Sequence, residues 1–167
     1  MQMRDAQALE AKLSEAHVNA LKSSVSTTFE SICGAQPKFL GEIGKDVTCT
    51  GAVGIIALIG DLSWSLAMGL PRETAISLAE KFAGFPIDYE SSDMADVVGE
   101  LANIISGDLV ARLEGIGCRV RMGLPAVIRG DALTHKAAHA QEATRLRFGL
   151  AQGEIWVGLA LAPPQPR

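Results

Sequence analysis

Two side chains suited to holding a reacting water lie three positions apart in an otherwise apolar segment, Glu100 and Asn103. Asp96 precedes them and Gly107 follows. A helix advances 100° per residue, so with Asp96 at zero the other three lie at about 40°, about −20° and about 20°. All four therefore share one narrow stripe, and the aliphatic residues fill the other side. A polar stripe that includes a glycine leaves room for another molecule to approach closely.

The chemistry open to this stripe is binding and positioning, not strong base catalysis. Glu100 accepts hydrogen bonds or pairs with a cation, and the Asn103 amide both donates and accepts, so it can fix the orientation of a water. The amide does not take up a proton at neutral pH, and no nucleophile with an adjacent base lies on the stripe. A plainer interpretation stays open, in which the stripe is a solvated helix face. In that interpretation Asp93-x-x-Asp96, which is typical of a capping box, gives Asp96 only a capping role.

Composition narrows the class of protein. A length of 167 residues favours one domain, and 48% hydrophobic with 20% charged residues is typical of a soluble globular protein. The net charge of −4 and the lack of a Lys/Arg cluster argue against nucleic acid or an anionic membrane as the main partner. No apolar run reaches the roughly 18 residues that span a bilayer, and the first residues lack the apolar segment of a signal peptide. We therefore expect a cytoplasmic protein.

The cysteines and histidines predict neither a disulfide framework nor a metal centre. Cys33, Cys49 and Cys118 are odd in number and far apart, so we expect buried free thiols. His135 and His139 have the i, i+4 spacing of metal ligands on a helix, but no suitable carboxylate follows, and a solvated stretch is the better interpretation. We expect no cofactor bound by this chain itself.

The elements that must position the stripe are long helices and short strands. Apolar periodicity predicts helices over 5–33, 71–84 and 93–115, the first closed by Gly34 and the second running from Pro71 to Gly84. Strands are predicted over 37–43, 47–59, 62–68, 119–128, 144–150 and 154–162. Turns at Gly60-Asp61 and Gln152-Gly153 join two hairpins, and residues 129–141 are ambiguous. This order predicts an α+β fold with the helices packed on an antiparallel or mixed sheet.

The stripe also resembles the signature of a known family, which the plainer interpretation does not explain. Asp96-x3-Glu100-x2-Asn103-x3-Gly107, followed by Pro125 22 positions after Asn103, resembles the signature of the CheC/CheX/FliY phosphatases of bacterial chemotaxis. Residues 97–107 resemble that family's active-site helix throughout, and the preceding hairpin and helix fit its order. The resemblance covers roughly residues 16–162 and is greatest to CheX-like members with one site. It divides the chain into an N-terminal extension (1–15), a CheX-like domain (16–162) and a frayed tail (163–167).

What the resemblance implies is hydrolysis of the aspartyl phosphate on a CheY-like response regulator. Asn103 would enter the regulator's active site and orient the attacking water, while Glu100 would pair with the regulator's phosphate-site lysine. Mg²⁺ would belong to the regulator. Asp96, Gly107 and Pro125 would support the site without performing the chemistry. The resemblance also implies a homodimer, since CheX-like members form dimers.

A weak echo of the stripe lies in the first predicted helix, where Ser26, Glu30 and Cys33 repeat the spacing of the first three positions. Chance alone could produce it. CheC-type relatives carry two copies of the signature, so the resemblance implies a degenerate second site, since a thiol cannot orient water as an amide does. A second hypothesis for the whole protein also stays open. It is a catalytically silent adaptor that keeps the fold and binds a regulator or another signalling partner.

Overall fold

The computed structural model describes residues 13–44, 48–134 and 142–161, with only the backbone of Glu142. The described part contains three helices and seven strands. In chain order they are α1 (Glu15–Cys33), β1 (Lys38–Glu42), β2 (Cys49–Gly60), β3 (Ser63–Pro71), α2 (Arg72–Ala83), α3 (Ser92–Gly115), β4 (Val120–Met122), β5 (Ala126–Leu133), β6 (Glu142–Leu150) and β7 (Gly153–Leu161). The predicted α+β class is confirmed.

The first helix begins later than its periodicity predicted. Ser14 is the N-cap, and its hydroxyl accepts a bond from the His17 backbone N–H at 3.4 Å while its own N–H donates to His17 Nδ1 at 3.0 Å. This capping box makes Glu15 the first residue of the helix, so residues 13 and 14 do not belong to it. Residues 5–12 of the predicted span lie outside the described residues. The predicted stop at Gly34 is confirmed, with φ +75.

The second helix also departs from prediction at its start. Pro71 has ψ 148, pairs with Gly51 as the last residue of β3, and caps a helix that begins at Arg72. Pro71 was predicted to be the first helical residue, but it lies one position before the helix. Gly84 closes the helix in the left-handed conformation, as predicted.

All seven strands form one antiparallel sheet. Its order is β1-β6-β7-β3-β2, and both β4 and β5 pair with β2 at the far edge. The two predicted hairpins are confirmed, as β2 with β3 and β6 with β7. The predicted strand over 119–128 is divided into β4 and β5 by the segment from Gly123 to Pro125, and β5 continues to Leu133.

The helices cover one face of the sheet and enclose the main core with it. Side chains with no exposed surface fill this layer, among them Phe29, Ile56, Leu66, Leu101 and Ile105. The opposite face carries a smaller buried cluster of Cys49, Val53, Ala67 and Trp156. No helix in the described ranges combines the length and the apolar character needed to cross a membrane.

Close approach between α3 and β2 depends on a glycine. A Cβ at Gly54 would lie 3.1 Å from Ala102 Cβ and 3.4 Å from Val98 Cγ1, tighter than ordinary contact. The small residue therefore lets α3 lie directly on the central hairpin. This contact fixes the height of the helix that carries the polar stripe.

Candidate functional site

The polar stripe lies on the outer face of α3, as the spacing predicted. Asp96, Glu100 and Gly107 are exposed, and Asn103 is half-buried between them. The opposite side of the same helix is sealed in the core, where Leu101 and Ile105 have no exposed surface. The helix therefore holds the carboxylate and the amide on a rigid support that faces outward.

The two central side chains have no partner in the described part of the protein. No hydrogen bond or ion pair within residues 13–44, 48–134 and 142–161 engages the Glu100 carboxylate or the Asn103 amide. A carboxylate and an amide that are ordered by a helix and left unpaired are available to another molecule. This arrangement can bind a cation and orient a water.

The connection between β4 and β5 forms one flank of the stripe and brings Pro125 to it. Pro125 Cβ and Cγ lie 3.6 Å from the position a Cβ would take at Gly99. One turn past Asn103, Met122 Sδ lies 3.9 Å from the corresponding position at Gly107. Pro125 therefore packs beside the stripe without belonging to it. The family resemblance implied that Pro125 lies near the site, whereas no pattern in the residues around it predicted the contact.

The other flank is tied to α1 through an arginine. Arg112 Nε donates to Asp108 Oδ2 at 2.5 Å, one turn earlier on α3, and its NH2 group donates to Thr27 Oγ1 at 2.9 Å. Asp108 and Arg112 both remain partly exposed, and Arg112 links α3 to α1, a contact that their i, i+4 spacing alone could not reveal.

The start of α3 is held by a cap and by a second arginine. Ser91 is the N-cap, and its hydroxyl accepts from the Met94 N–H at 3.3 Å. Arg129 of β5 donates from NH1 to the backbone oxygens of Tyr89 at 2.6 Å and Ser91 at 2.7 Å. The predicted capping box of Asp93 and Asp96 is therefore wrong, because the N-cap is Ser91 and Asp93 already lies within the helix. Asp96 lies within the helix and shares the stripe.

The echo of the stripe on α1 has different surroundings. Ser26 and Cys33 are half-buried and Glu30 is exposed, but the Glu30 carboxylate already accepts a hydrogen bond from Gln36 Nε2 at 3.2 Å. Burial raises the pKa of the Cys33 thiol, and the nearby Lys81 opposes that effect. The α1 stripe therefore offers a neutral thiol and a carboxylate that is already hydrogen-bonded, whereas α3 offers a carboxylate and an amide without a described partner.

No metal centre emerges from the parts of the chain described here. Within them, no group of three or more His, Cys, Asp or Glu side chains could hold an ion. His135 and His139 lie outside the described residues. Cys49 and Cys118 are buried free thiols, as predicted, and burial raises the pKa of Cys49 to about 11.

Comparison with known proteins assigns the sequence to a family. Residues 52–149 match the family model described as chemotaxis phosphatase CheX. A curated protein of Thermotoga maritima, named CheY-P phosphatase CheX, is 30% identical over 128 residues, which cover 72% of this chain and 79% of the relative.

Solved structures agree on the fold. The CheX protein of Desulfovibrio desulfuricans superposes with a TM-score of 0.78 at 22% identity, covering 87% of this chain and 98% of that one. CheX in a CheX-CheY-BeF3-Mg+2 complex from Borrelia burgdorferi superposes with a TM-score of 0.74 at 22% identity, covering 87% and 97%. Sequence and fold together show that the chain belongs to the CheX family of chemotaxis phosphatases.

Proposed function

We propose that this protein hydrolyses the aspartyl phosphate of a CheY-like response regulator, with Asn103 orienting the water and Glu100 fixing the register. The observation that carries the proposal is the pair itself. Both side chains project from one stripe of α3, and neither is engaged by another described residue. A water held by the Asn103 amide would attack phosphorus as the P–O bond to the aspartate breaks. The products are inorganic phosphate and a free aspartate carboxylate.

The relatives support the same reaction. The Thermotoga maritima relative is named a CheY-P phosphatase, and the Borrelia burgdorferi structure is a complex of CheX with CheY, BeF3 and Mg+2. In our proposal Mg²⁺ would belong to the regulator and would supply positive charge that offsets that of the phosphoryl oxygens. This chain contributes the geometry.

The proposed roles fit the physics of phosphoryl transfer, in which positioning and electrostatics dominate. Confining a nucleophile to an attack geometry can supply several kcal/mol. Glu100 would pair with the lysine of the regulator's phosphate site, which aligns the two proteins before the reaction. The α1 stripe would be inactive, since Cys33 has no amide and Gln36 engages Glu30.

The first experiment measures phosphate release from a phosphorylated CheY-like regulator from the same organism. Asn103→Ala should keep the fold, because the side chain lies outside the core, and lower the rate about 10²-fold, or roughly 2.7 kcal/mol. Asn19→Ala is the matched control, since Asn19 is the other asparagine of the chain and lies exposed on α1. The control should release phosphate at the wild-type rate.

Glu100→Ala should weaken both docking and turnover, because it removes the partner of the regulator's lysine. Glu80→Ala, an exposed glutamate on α2, serves as the control. Unchanged phosphate release by both the Asn103 and the Glu100 variants would refute the proposed site. Binding of phosphorylated regulators without any acceleration by the wild-type protein would establish the silent adaptor instead.

The homodimer and the cytoplasmic location expected from the sequence belong to this proposal. The sheet ends at β1 on one side and at β4 and β5 on the other. Such edges present unpaired backbone groups that a second copy can cover. Light scattering of the purified protein at several concentrations measures the state directly, and a monomer throughout would remove the dimer from the proposal.

A further inference from the structure

Resting on the proposed function, we propose that Leu124 is an apolar docking contact for the receiver domain of the phosphorylated regulator. Leu124 lies in the connection between β4 and β5, which we call the Leu124 turn (residues 123–125). It would contact the regulator's surface beside the acyl phosphate, while Asn103 reaches the phosphate itself. The partner is thus recognised by an apolar contact next to a polar one.

Leu124 is far more exposed than any other large apolar side chain of the described residues. Its exposed fraction is 92%, against 61% for Ile59 and 60% for Phe85. The turn that carries it is nevertheless anchored at both ends. The Gly123 N–H donates to the Ala57 backbone oxygen at 2.8 Å, and Pro125 packs against α3 at Gly99. With so little of its surface buried, Leu124 contributes little hydrophobic stabilisation to the isolated fold.

The turn lies at the height of Asn103 along α3. Pro125, at the end of the turn, packs beside Gly99, and Met122, the residue just before the turn, lies beside Gly107. These two positions are eight residues apart, or about 12 Å along the axis, and Asn103 is midway between them. Leu124 therefore lies beside the middle of the stripe.

A partner that reaches Asn103 must cover this turn as well. A specific complex buries roughly 800 Å² per partner, a patch about 30 Å across. Centred on Asn103, such a patch includes everything within about 15 Å. The Leu124 turn borders the stripe beside Asn103 and therefore lies inside this patch. Docking would then remove the Leu124 side chain from water, and this removal would contribute to the free energy of binding.

An apolar contact of this kind acts on binding and not on the chemical step. Leu124 carries no charge and no hydrogen-bonding group, so it cannot orient the water or stabilise the phosphoryl group. Its removal should raise KM and leave kcat at the wild-type value, in contrast to Asn103→Ala. Its effect should also be insensitive to salt, whereas that of Glu100 should weaken as salt rises.

The experiment compares Leu124→Ser with Ile116→Ser. Ile116 is 50% exposed and follows the end of α3, about 20 Å from Asn103 along the axis. The probe is a CheY-like regulator loaded with beryllofluoride and Mg²⁺ for Kd, and the phosphorylated regulator for kcat and KM. Leu124→Ser should raise Kd and KM about tenfold without changing kcat, and Ile116→Ser should change neither. Leu124→Met should restore wild-type binding.

Each result has a clear consequence. An unchanged Kd for Leu124→Ser, in a protein whose Asn103→Ala variant has lost turnover, overturns the docking contact and leaves the proposed function intact. Equal weakening by Leu124→Ser and Ile116→Ser also overturns it, since surface apolarity in general would then be responsible. A wild-type protein that neither binds nor dephosphorylates any regulator overturns both. Thermal unfolding of each variant separates binding losses from folding losses.

Discussion

Gly107 is a glycine that the isolated fold does not require. It occupies an exposed position inside α3, where a Cβ would meet nothing nearer than Met122 Sδ at 3.9 Å. Glycine in a helix interior costs about 1 kcal/mol relative to alanine. Neither packing nor conformation requires glycine here, and close approach of the proposed partner to the stripe would account for it.

We therefore expect Gly107→Ala to change stability and function in opposite directions. The free energy of unfolding should rise by about 1 kcal/mol, while KM for the phosphorylated regulator should rise several-fold. Denaturant titration and phosphate release measure the two effects. Gly115→Ala, at the end of the same helix with nothing within 4 Å of its Cβ, is the control and should leave KM unchanged. A Gly107→Ala protein with wild-type KM would remove the close approach from the mechanism.

At this scale the sequence predicted what depends on one helix. The angular positions of Asp96, Glu100, Asn103 and Gly107 follow from spacing alone, and the structure has them on one outer stripe. Which residues flank that stripe depends on distant segments. An exposed leucine before a proline is an ordinary loop pattern, so Leu124 carried no signal until the fold brought it beside α3.

Among the elements, β3 and β7 meet in a pair that requires a glycine. Gly69 lies opposite Trp156, and a Cβ at Gly69 would overlap the indole ring. The ring thereby covers the glycine and completes the smaller cluster with Cys49, Val53 and Ala67. The cross-strand pair thus stabilises both strands on the face away from the helices.

Gly69→Ala should therefore destabilise the protein by about 1–3 kcal/mol, because the indole must leave its position. Denaturant unfolding measures the loss. Gly149→Ala on β6 is the control, since its Cβ would meet only the flexible end of Leu40 at 3.4 Å. Equal losses in the two variants would mean that strand glycines, and not the displaced ring, determine the effect.

The elements themselves were more predictable than their arrangement. Turn residues and caps are local signals, so the two hairpins and the ends of α3 were close to their observed positions. The pairing of β1 with β6 and the junction of β4 and β5 with β2 join segments far apart in the chain. No residue pattern in one segment specifies such a partner, because pairing is decided by what the rest of the core leaves free.

At the scale of the whole molecule, the two tryptophans report on opposite faces of one sheet. Trp64 belongs to the main core under the helices, and Trp156 belongs to the smaller cluster on the other face. Both are nearly buried. The strands alternate between the faces, as Trp156 and Val157 do on β7, so we expect the two faces to lose their packing together.

We expect a single unfolding transition seen by both tryptophans. Trp64→Phe and Trp156→Phe each leave one indole, and within each variant the fluorescence and circular dichroism midpoints should coincide. A fluorescence transition that precedes the loss of circular dichroism in the Trp64→Phe protein would show that the smaller cluster melts independently of the helices.

The anchoring of α3 has a consequence for how such proteins diversify. Arg129 secures the beginning of the helix to β5, and Arg112 links its later turns to α1. Inserting one residue between Glu100 and Asn103 would swing the amide by about 100° around the axis. Because both ends of α3 are held, the helix cannot rotate to compensate. Changes of regulator preference should therefore accumulate as substitutions in the Leu124 turn, while the length of α3 stays constant.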